Sequence, residues 1–401
     1  MSVDLRTRSD LAPPQVAATA LLARDLPAAF ERLGDRAAEV ATRTLRPLLV
    51  EIDGEAWTWT VEGSRAVVRP GPPVGVDRWA LVRFSADQLE QLAADLVTPV
   101  GLWTASSLDI VDGSISHVMD WWLVLRAALD DQRWEAVADI DLPDDLERSF
   151  APDDDPAEMR RFLEQAGYLH VRGLFTAEEM AQVSVDMDAA APTYRRDDGR
   201  SWWAETVDGP RLVRMHGFEA HSPTTAELLD DRRLLRLAEV PGCGHVRRRS
   251  DGNAIEALFK PLGVTEGISD IPWHKDCSLG RHSYECCSLT VGISVTGGGP
   301  TTGQLRVIAG SHRALMWPAL ADPTTMGLPE VALPTETGDV TVHLSCTHHM
   351  AQPPTERERR VMYTDFRLPT PDEEATRAAH TELMRRSRDA APRNRSQPST
   401  V

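Results

Sequence analysis

Between Ala254 and Phe366 the chain breaks into short apolar runs separated by Gly and Pro, and one of these runs carries His274-Lys275-Asp276. Short strands with Gly and Pro turns at close spacing predict a jelly-roll pair of sheets. Two metal-capable side chains separated by one residue share a face if they sit on a strand, because side chains alternate with a period of two. An imidazole and a carboxylate suit iron or another first-row divalent metal, and a second, distant His completes a two-His-one-carboxylate set with open positions. The run His343-Leu-Ser-Cys-Thr-His348-His349 supplies candidates for that His. Arg359-Arg360 then opens a strand-like segment, and a guanidinium suits a bidentate grip on a carboxylate. One segment therefore offers three metal ligands and an anchor for an acidic cosubstrate.

The motifs stand in the order Gly-Tyr-Leu-His-Val-Arg-Gly-Leu-Phe (167–175), Trp-His-Lys-Asp (273–276), Gly-Gln-Leu-Arg-Val-Ile-Ala-Gly-Ser-His (303–312), Gly-Asp-Val (338–340), His-Met-Ala-Gln-Pro (349–353) and Arg-Arg-Val (359–361). This set resembles the phytanoyl-CoA dioxygenase family of Fe(II)- and 2-oxoglutarate-dependent oxygenases over about residues 157–367. The resemblance implies a double-stranded β-helix, with Fe(II), 2-oxoglutarate and O2 as cofactor and cosubstrates. It implies His274, Asp276 and His349 as ligands, since Pro353 stands four positions after His349, as it does after the family's ligand His. His348, adjacent to His349 and on the opposite face of a strand, is the alternative and falls where relatives usually carry an apolar residue; His343 is a weaker candidate, and His312, in Gly-Ser-His, is expected to shape a turn. Counting back from Phe366 in the family register makes Arg359 the anchor of the 2-oxoglutarate carboxylate, whereas counting forward from the ligand His points to Arg360. On a strand only one of the two points inward. Lys260 is a further candidate for the cosubstrate or an acidic substrate, and Lys275 should point away from a metal held by its neighbours. The resemblance also implies oxidative decarboxylation of 2-oxoglutarate to succinate, coupled to attack on an unactivated C–H bond. Related halogenases have a small residue where Asp276 stands, so oxygen transfer is expected here. Thr302-Gly303-Gln304 departs from the family's Glu-Asn-Gly, which weakens any transfer of substrate specificity.

A chain of 401 residues suits two domains. Its formal net charge of −18 argues against a nucleic-acid partner. Five cysteines without a C-x-x-C pair make neither a disulfide framework nor a zinc site. No apolar run approaches a membrane span, and MSVDLRTRSD lacks the apolar core of a signal peptide, so a cytoplasmic protein is expected. The chain has only two lysines, Lys260 and Lys275, both close to the His-Asp pair.

Residues 1–35 carry apolar side chains at helical spacing after Pro13-Pro14. Residues 36–130 read as a smaller α+β domain: strands at 48–52, 56–61 and 65–69 joined by Asp53-Gly54 and Glu62-Gly63 turns, a helix capped by Ser85-Ala-Asp-Gln88, a strand at 108–111 and a helix over 118–129. This pattern resembles the sterol-carrier-protein-like fold, whose members often bind lipid. Trp57, Trp59, Trp103, Trp121 and Trp122 would then line a tunnel or, more ordinarily, form core. Residues 131–156, acidic and broken by proline, read as a linker, followed by the oxygenase domain at 157–370 and a charged helix and tail at 371–401. Helices are expected over 157–166, 180–189 and 228–240. Residues 192–225 have little periodicity and read as a lid or pocket wall, with Trp202, Trp203 and Trp273 as candidate substrate contacts.

The fold class expected is mainly β with α, a jelly-roll domain preceded by a smaller α+β domain. The function expected is hydroxylation, or a related desaturation or ring closure, of a small and largely apolar biosynthetic intermediate or lipid. A lipid carrier with a catalytically silent jelly roll, and a cupin-like metalloenzyme that uses no 2-oxoglutarate, are the competing readings.

Overall fold

The computed structural model describes residues 17–369 apart from 41–44, 105–106, 131–133, 248–253, 268–269, 280–286 and 320–321. The start signal at Pro13-Pro14, Val16 and the helix expected after Pro371 fall outside them.

The first unit begins with helical turns α1 (Ala18–Ala20), α2 (Leu26–Leu33) and α3 (Ala37–Val40). They pack against a five-stranded sheet of β1 (Leu48–Ile52), β2 (Glu55–Glu62), β3 (Arg65–Pro70), β4 (Ala80–Phe84) and β5 (Asp109–Asp112), in the order β3-β2-β1-β4-β5. Asp53 and Gly54 both take positive φ, 49° and 88°, as a two-residue hairpin of the favoured twist requires. The first three strands form the expected meander. β4 instead runs parallel to β1, so the sheet is mixed.

Ser85 and Gln88 close a capping box on α4 (Ala86–Ala93). After α5 (Pro99–Thr104) comes α6 (Ile115–Leu129), in which thirteen of fifteen residues are buried. A helix that is buried all round must be covered on two sides. One cover is the sheet, whose Trp59 meets Trp121 of α6 and Phe30 of α2 edge to face at 6.1 and 6.3 Å, with Phe30 tilted against Trp121 at 6.4 Å. The other comes from the second unit, which sends Leu315, Trp317 and Ala319 into the same core.

The second unit is the jelly roll. Asp155 caps α7 (Pro156–Ala166), and β6 (Tyr168–Val171) and α8 (Ala177–Ala190) follow. The segment expected to be irregular forms a hairpin, β7 (Ser201–Thr206) and β8 (Gly209–His216). A register shift between Trp202 and Trp203 breaks the period-two pattern, which hides the strand from a periodicity reading. The single helix expected over 228–240 is two, α9 (Pro223–Leu229) and α10 (Arg232–Glu239). The break lies at Asp231, whose side chain accepts the Arg233 amide at 2.7 Å and starts the second helix.

The remaining strands are β9 (Val246–Arg247), β10 (Glu256–Lys260), β11 (Val264–Glu266), β12 (Leu289–Ser294), β13 (Leu305–Ile308), β14 (Glu330–Leu333), β15 (Val340–Leu344), β16 (His349–Ala351) and β17 (Arg359–Arg367). The major sheet runs β11-β7-β8-β10-β17-β12-β15-β6, with β9 beside β17, and the minor sheet is β14-β13-β16. Along β12, Leu289, Val291 and Ile293 join the core that holds Met180, Val183 and Met187 of α8. Thr290, Gly292 and Ser294 take the opposite face. The register carries that face across the sheet, pairing Thr290 with His343 and Asp365, Gly292 with Tyr363, Lys260 with Arg359, and Glu256 with His216.

The acidic connection lies along the second unit. Phe150 is fully buried in the jelly-roll core and bridges Val171, and Glu135 pairs with Ala314 and Arg313. Asp339, in the Gly-Asp-Val motif, accepts from the Gly173 and Glu336 amides at 2.8 Å and binds His170 at 3.0 Å. That motif holds a turn together.

Candidate active site

His274 does not lie on a continuous strand. It makes isolated bridges to His349 and Ala319, and the chain then turns into a 3-10 helix at Asp276–Leu279. The two side chains converge because the turn folds Asp276 back, and not because they share a pleat. Reciprocal amide bonds of 3.1 and 3.0 Å between His274 and His349 fix the two segments side by side.

The result is a cluster of His274, Asp276 and His349, with donor atoms all within 4.8 Å of one another. Asp276 Oδ1 lies 3.2 Å from His274 Nε2 and 3.4 Å from His349 Nε2. Neighbouring donors around a divalent ion stand roughly 3 Å apart, given metal–ligand bonds of about 2.1 Å. Both imidazoles are pre-set for this. His274 Nδ1 donates to the Pro272 carbonyl at 2.6 Å and His349 Nδ1 to the Thr347 carbonyl at 3.0 Å, which turns the Nε2 of each ring toward Asp276. The donor set and the fixed ring orientations fit Fe(II).

The second carboxylate oxygen is held from behind. Thr290 Oγ1 donates to Asp276 Oδ2 at 2.8 Å, and His343 Nε2 lies 3.4 Å from the same oxygen. Burial pushes the His343 imidazole down to about 4, so it stands neutral, a donor at Nε2. Burial alone would raise the Asp276 carboxyl, but His349, His274 and His343 around it hold it well below the usual carboxylate range. His343 and Thr290 are residues that sequence reasoning missed as a pair. Their only signal was a cross-strand register that no local pattern contains.

His348 and His349 point opposite ways. His348 is fully buried and its Nε2 donates to the Trp317 carbonyl at 2.6 Å. Lys275, between two cluster residues, points away and donates to the Ser311 carbonyl at 2.9 Å. His312 donates from Nε2 to the Glu164 carbonyl at 3.0 Å, far from the cluster in role.

Arg359 lies on the inner face of β17, 4% exposed, donating to the Gly303 carbonyl, with its buried Nε unpartnered. Arg360 lies on the outer face, bonded to Ser184 and Asp188 of α8 and stacked 5.0 Å over Phe259. Lys260, beside Arg359 on the same face, is 3% exposed and pairs with Asp270 at 2.7 Å. The three tryptophans are separated. Trp202 faces inward under the Arg214 guanidinium at 4.2 Å and beside His216. Trp203 packs against the outer core, and Trp273 against Ile308, Ala314 and Met316.

Residues 163–361 match the family model described as phytanoyl-CoA dioxygenase (PhyH). No curated protein matches the chain. Among solved structures, the chain is similar to AviO1 from Streptomyces viridochromogenes Tue57, at 23% identity over 54% of this chain and 96% of that one, with a TM-score of 0.43. It is similar to the non-heme alpha ketoglutarate dependent epimerase SnoN from nogalamycin biosynthesis, at 20% identity over 53% and 84%, with a TM-score of 0.42. EctD from S. alaskensis is similar at 20% identity over 56% and 81%, with a TM-score of 0.43.

Proposed function

We propose, on the match of residues 163–361 to the phytanoyl-CoA dioxygenase (PhyH) family model, that the chain is an iron- and 2-oxoglutarate-dependent enzyme that hydroxylates, or otherwise oxidises at a C–H bond, a small biosynthetic intermediate or lipid. The observation that carries this reading is the convergence of His274 Nε2, Asp276 Oδ1 and His349 Nε2, with both imidazoles locked by their Nδ1 hydrogen bonds.

In this proposal His274, Asp276 and His349 hold the iron, and Arg359 holds the far carboxylate of 2-oxoglutarate. Bound iron with 2-oxoglutarate and O2 supplies an oxidant strong enough for an unactivated C–H bond. The chain's own part is positional. Thr290 and His343 fix the Asp276 carboxylate, and Arg359 brings a guanidinium with an unpaired buried N–H to the same face. A desolvated cation of this kind favours an anionic partner strongly.

The substrate we propose carries polar groups as well as the C–H bond to be oxidised. Trp202, Arg214, His216 and Glu256 share the inner face with Arg359 through the strand register, and Glu256 binds both Arg214 and His216 at 2.9 Å. These groups pair with one another, and a substrate with polar groups would add hydrogen bonds to that wall that a wholly apolar molecule would not. Among the described residues no helix is long and apolar enough to cross a membrane.

The test is anaerobic titration of the Fe(II)-loaded protein with 2-oxoglutarate, following the charge-transfer absorption, in wild type and His349→Ala. A band in wild type that disappears in the variant supports the reading. A folded, iron-loaded wild type that gives no band returns the carrier reading to the front.

A further inference from the structure

An extended strap, Ala314–Ala319, runs between the two units and faces both. Ala314 and Met316 pack with Trp273 and Ile308 of the jelly roll, whereas Leu315, Trp317 and Ala319 pack in the core built around α6. This is the period-two alternation of a strand that separates two hydrophobic cores.

The main chain of the strap touches the metal cluster's framework at three points. Ala319 bridges His274, the Pro318 carbonyl accepts the Lys275 amide at 2.9 Å, and the Trp317 carbonyl accepts from His348 Nε2 at 2.6 Å. Lys275 lies between two cluster residues and His348 precedes the third. The strap is held on its other side by a polar contact: Trp317 Nε1 donates at 3.0 Å to Asp120 Oδ1, on α6, where Asp120 is 2% exposed. Nearby, α5 lies against the 3-10 turn that opens with Asp276.

We propose that the N-terminal domain is part of the metal-site framework, with Trp317 and Asp120 as positioning residues that hold the strap against the two ligand segments. The inference rests on the proposed iron site, but its physical content does not need the metal. Freeing the Trp317 indole lets the strap shift, and the backbones of His274, Lys275 and His348 shift with it. The domain therefore acts on catalysis by setting where the ligands stand, and not as a separately tethered carrier.

The experiment uses the full-length chain as Trp317→Phe, Asp120→Asn and Trp59→Phe. Trp59 is the matched control: its indole lies in the same core, buried, with no hydrogen-bond partner for Nε1. Asp120→Asn keeps an acceptor oxygen and tests rescue. Amide hydrogen exchange of the metal-free proteins is measured over 270–279 and 345–352, and Fe(II) affinity by chelator competition. The expected result is that Trp317→Phe speeds exchange in both segments and weakens iron binding, each by about threefold or more, while Asp120→Asn and Trp59→Phe stay near wild type. Equal behaviour of Trp317→Phe and Trp59→Phe in both readouts overturns the proposal. Should Trp317→Phe not fold, Asp120→Leu removes the same hydrogen bond from the other side and is read against the same control. If wild type binds no iron, the metal reading fails on its own, and the exchange measurement still decides the role of the strap.

Discussion

Arg359 and Arg360 are neighbours in sequence and point to opposite faces of β17, one into the jelly roll and the other onto α8. The alternation of a strand gives two chemically identical side chains opposite surroundings, and it is the inward one, Arg359, that we propose as the anchor. Arg359→Ala is expected to raise the 2-oxoglutarate KM at least thirtyfold, since removing one partner of a buried charge pair costs about 2–5 kcal/mol. Arg360→Ala is expected to leave that KM within about twofold and lower stability by no more than about 1 kcal/mol, as a partly exposed pair does. Steady-state succinate formation and thermal melts of both variants check this, and the reverse pattern would reassign the anchor.

Thr290 Oγ1 and His343 Nε2 both meet Asp276 Oδ2, and the His343 ring also packs 4.0 Å from that of His349. Groups behind a ligand tune affinity without replacing it, and their loss typically weakens metal binding about 10–100-fold. Thr290→Val and His343→Leu should therefore still bind Fe(II), but more weakly by that factor. His349→Ala should fail to give the 2-oxoglutarate absorption band at all. Iron titration under anaerobic conditions separates the two classes, and a His343→Leu protein that binds no iron would make His343 a ligand.

Burial pushes the Lys260 ammonium down to about 8 despite its Asp270 partner. Below pH 8 the lysine is charged beside Arg359, and above it the inner face loses a cation. The 2-oxoglutarate KM is accordingly expected to rise as pH passes through 8, and Lys260→Met should flatten that rise. Stability moves the other way. The lysine's ordinary value is about 10.4, so between pH 8 and that value the unfolded chain binds more protons and folding gains as pH rises. Opposite slopes for cosubstrate affinity and chemical-denaturation midpoint are the signature, and parallel slopes would exclude Lys260.

The sequence was legible where its physics is local. Asp53-Gly54 and the Ser85-Gln88 box each mark an element boundary because the cap or turn is complete within four residues. The cluster itself was legible for a different reason: His274, Asp276 and His349 stand in an order of motifs that few folds share. What stayed hidden was non-local or broken in period. The β7–β8 hairpin was masked by the shift at Trp202, and the convergence of His274 with Asp276 comes from a turn and not from a strand. The parallel pairing of β1 with β4 depends on a crossover that no pattern in either strand encodes. Trp317 was unreadable because its partner, Asp120, stands 197 positions earlier in the chain.

Gly167 ends α7 at φ 87° and sits where the first jelly-roll motif meets the ligand segment. A Cβ there would lie 2.5 Å from both His312 Nδ1 and Thr347 Oγ1, while Thr347 Oγ1 donates to the Gly167 carbonyl at 2.8 Å. Gly167→Ala therefore combines a left-handed backbone with a steric overlap against the residue whose carbonyl holds His349 Nδ1. The backbone alone costs more than about 1 kcal/mol where φ is positive, and overpacking adds typically 1–3 kcal/mol. For a domain of about 200 residues each kcal/mol lowers the melting temperature by about 2–4 °C, so a fall of roughly 4–16 °C is expected. Because Thr347 orients His349, iron affinity should fall as well. Gly173→Ala, also at positive φ but with open space around its Cβ, isolates the backbone part and should leave iron affinity unchanged. Equal losses of affinity in both variants would show that the effect is general destabilisation, and that the close approach at Gly167 has no bearing on the metal site.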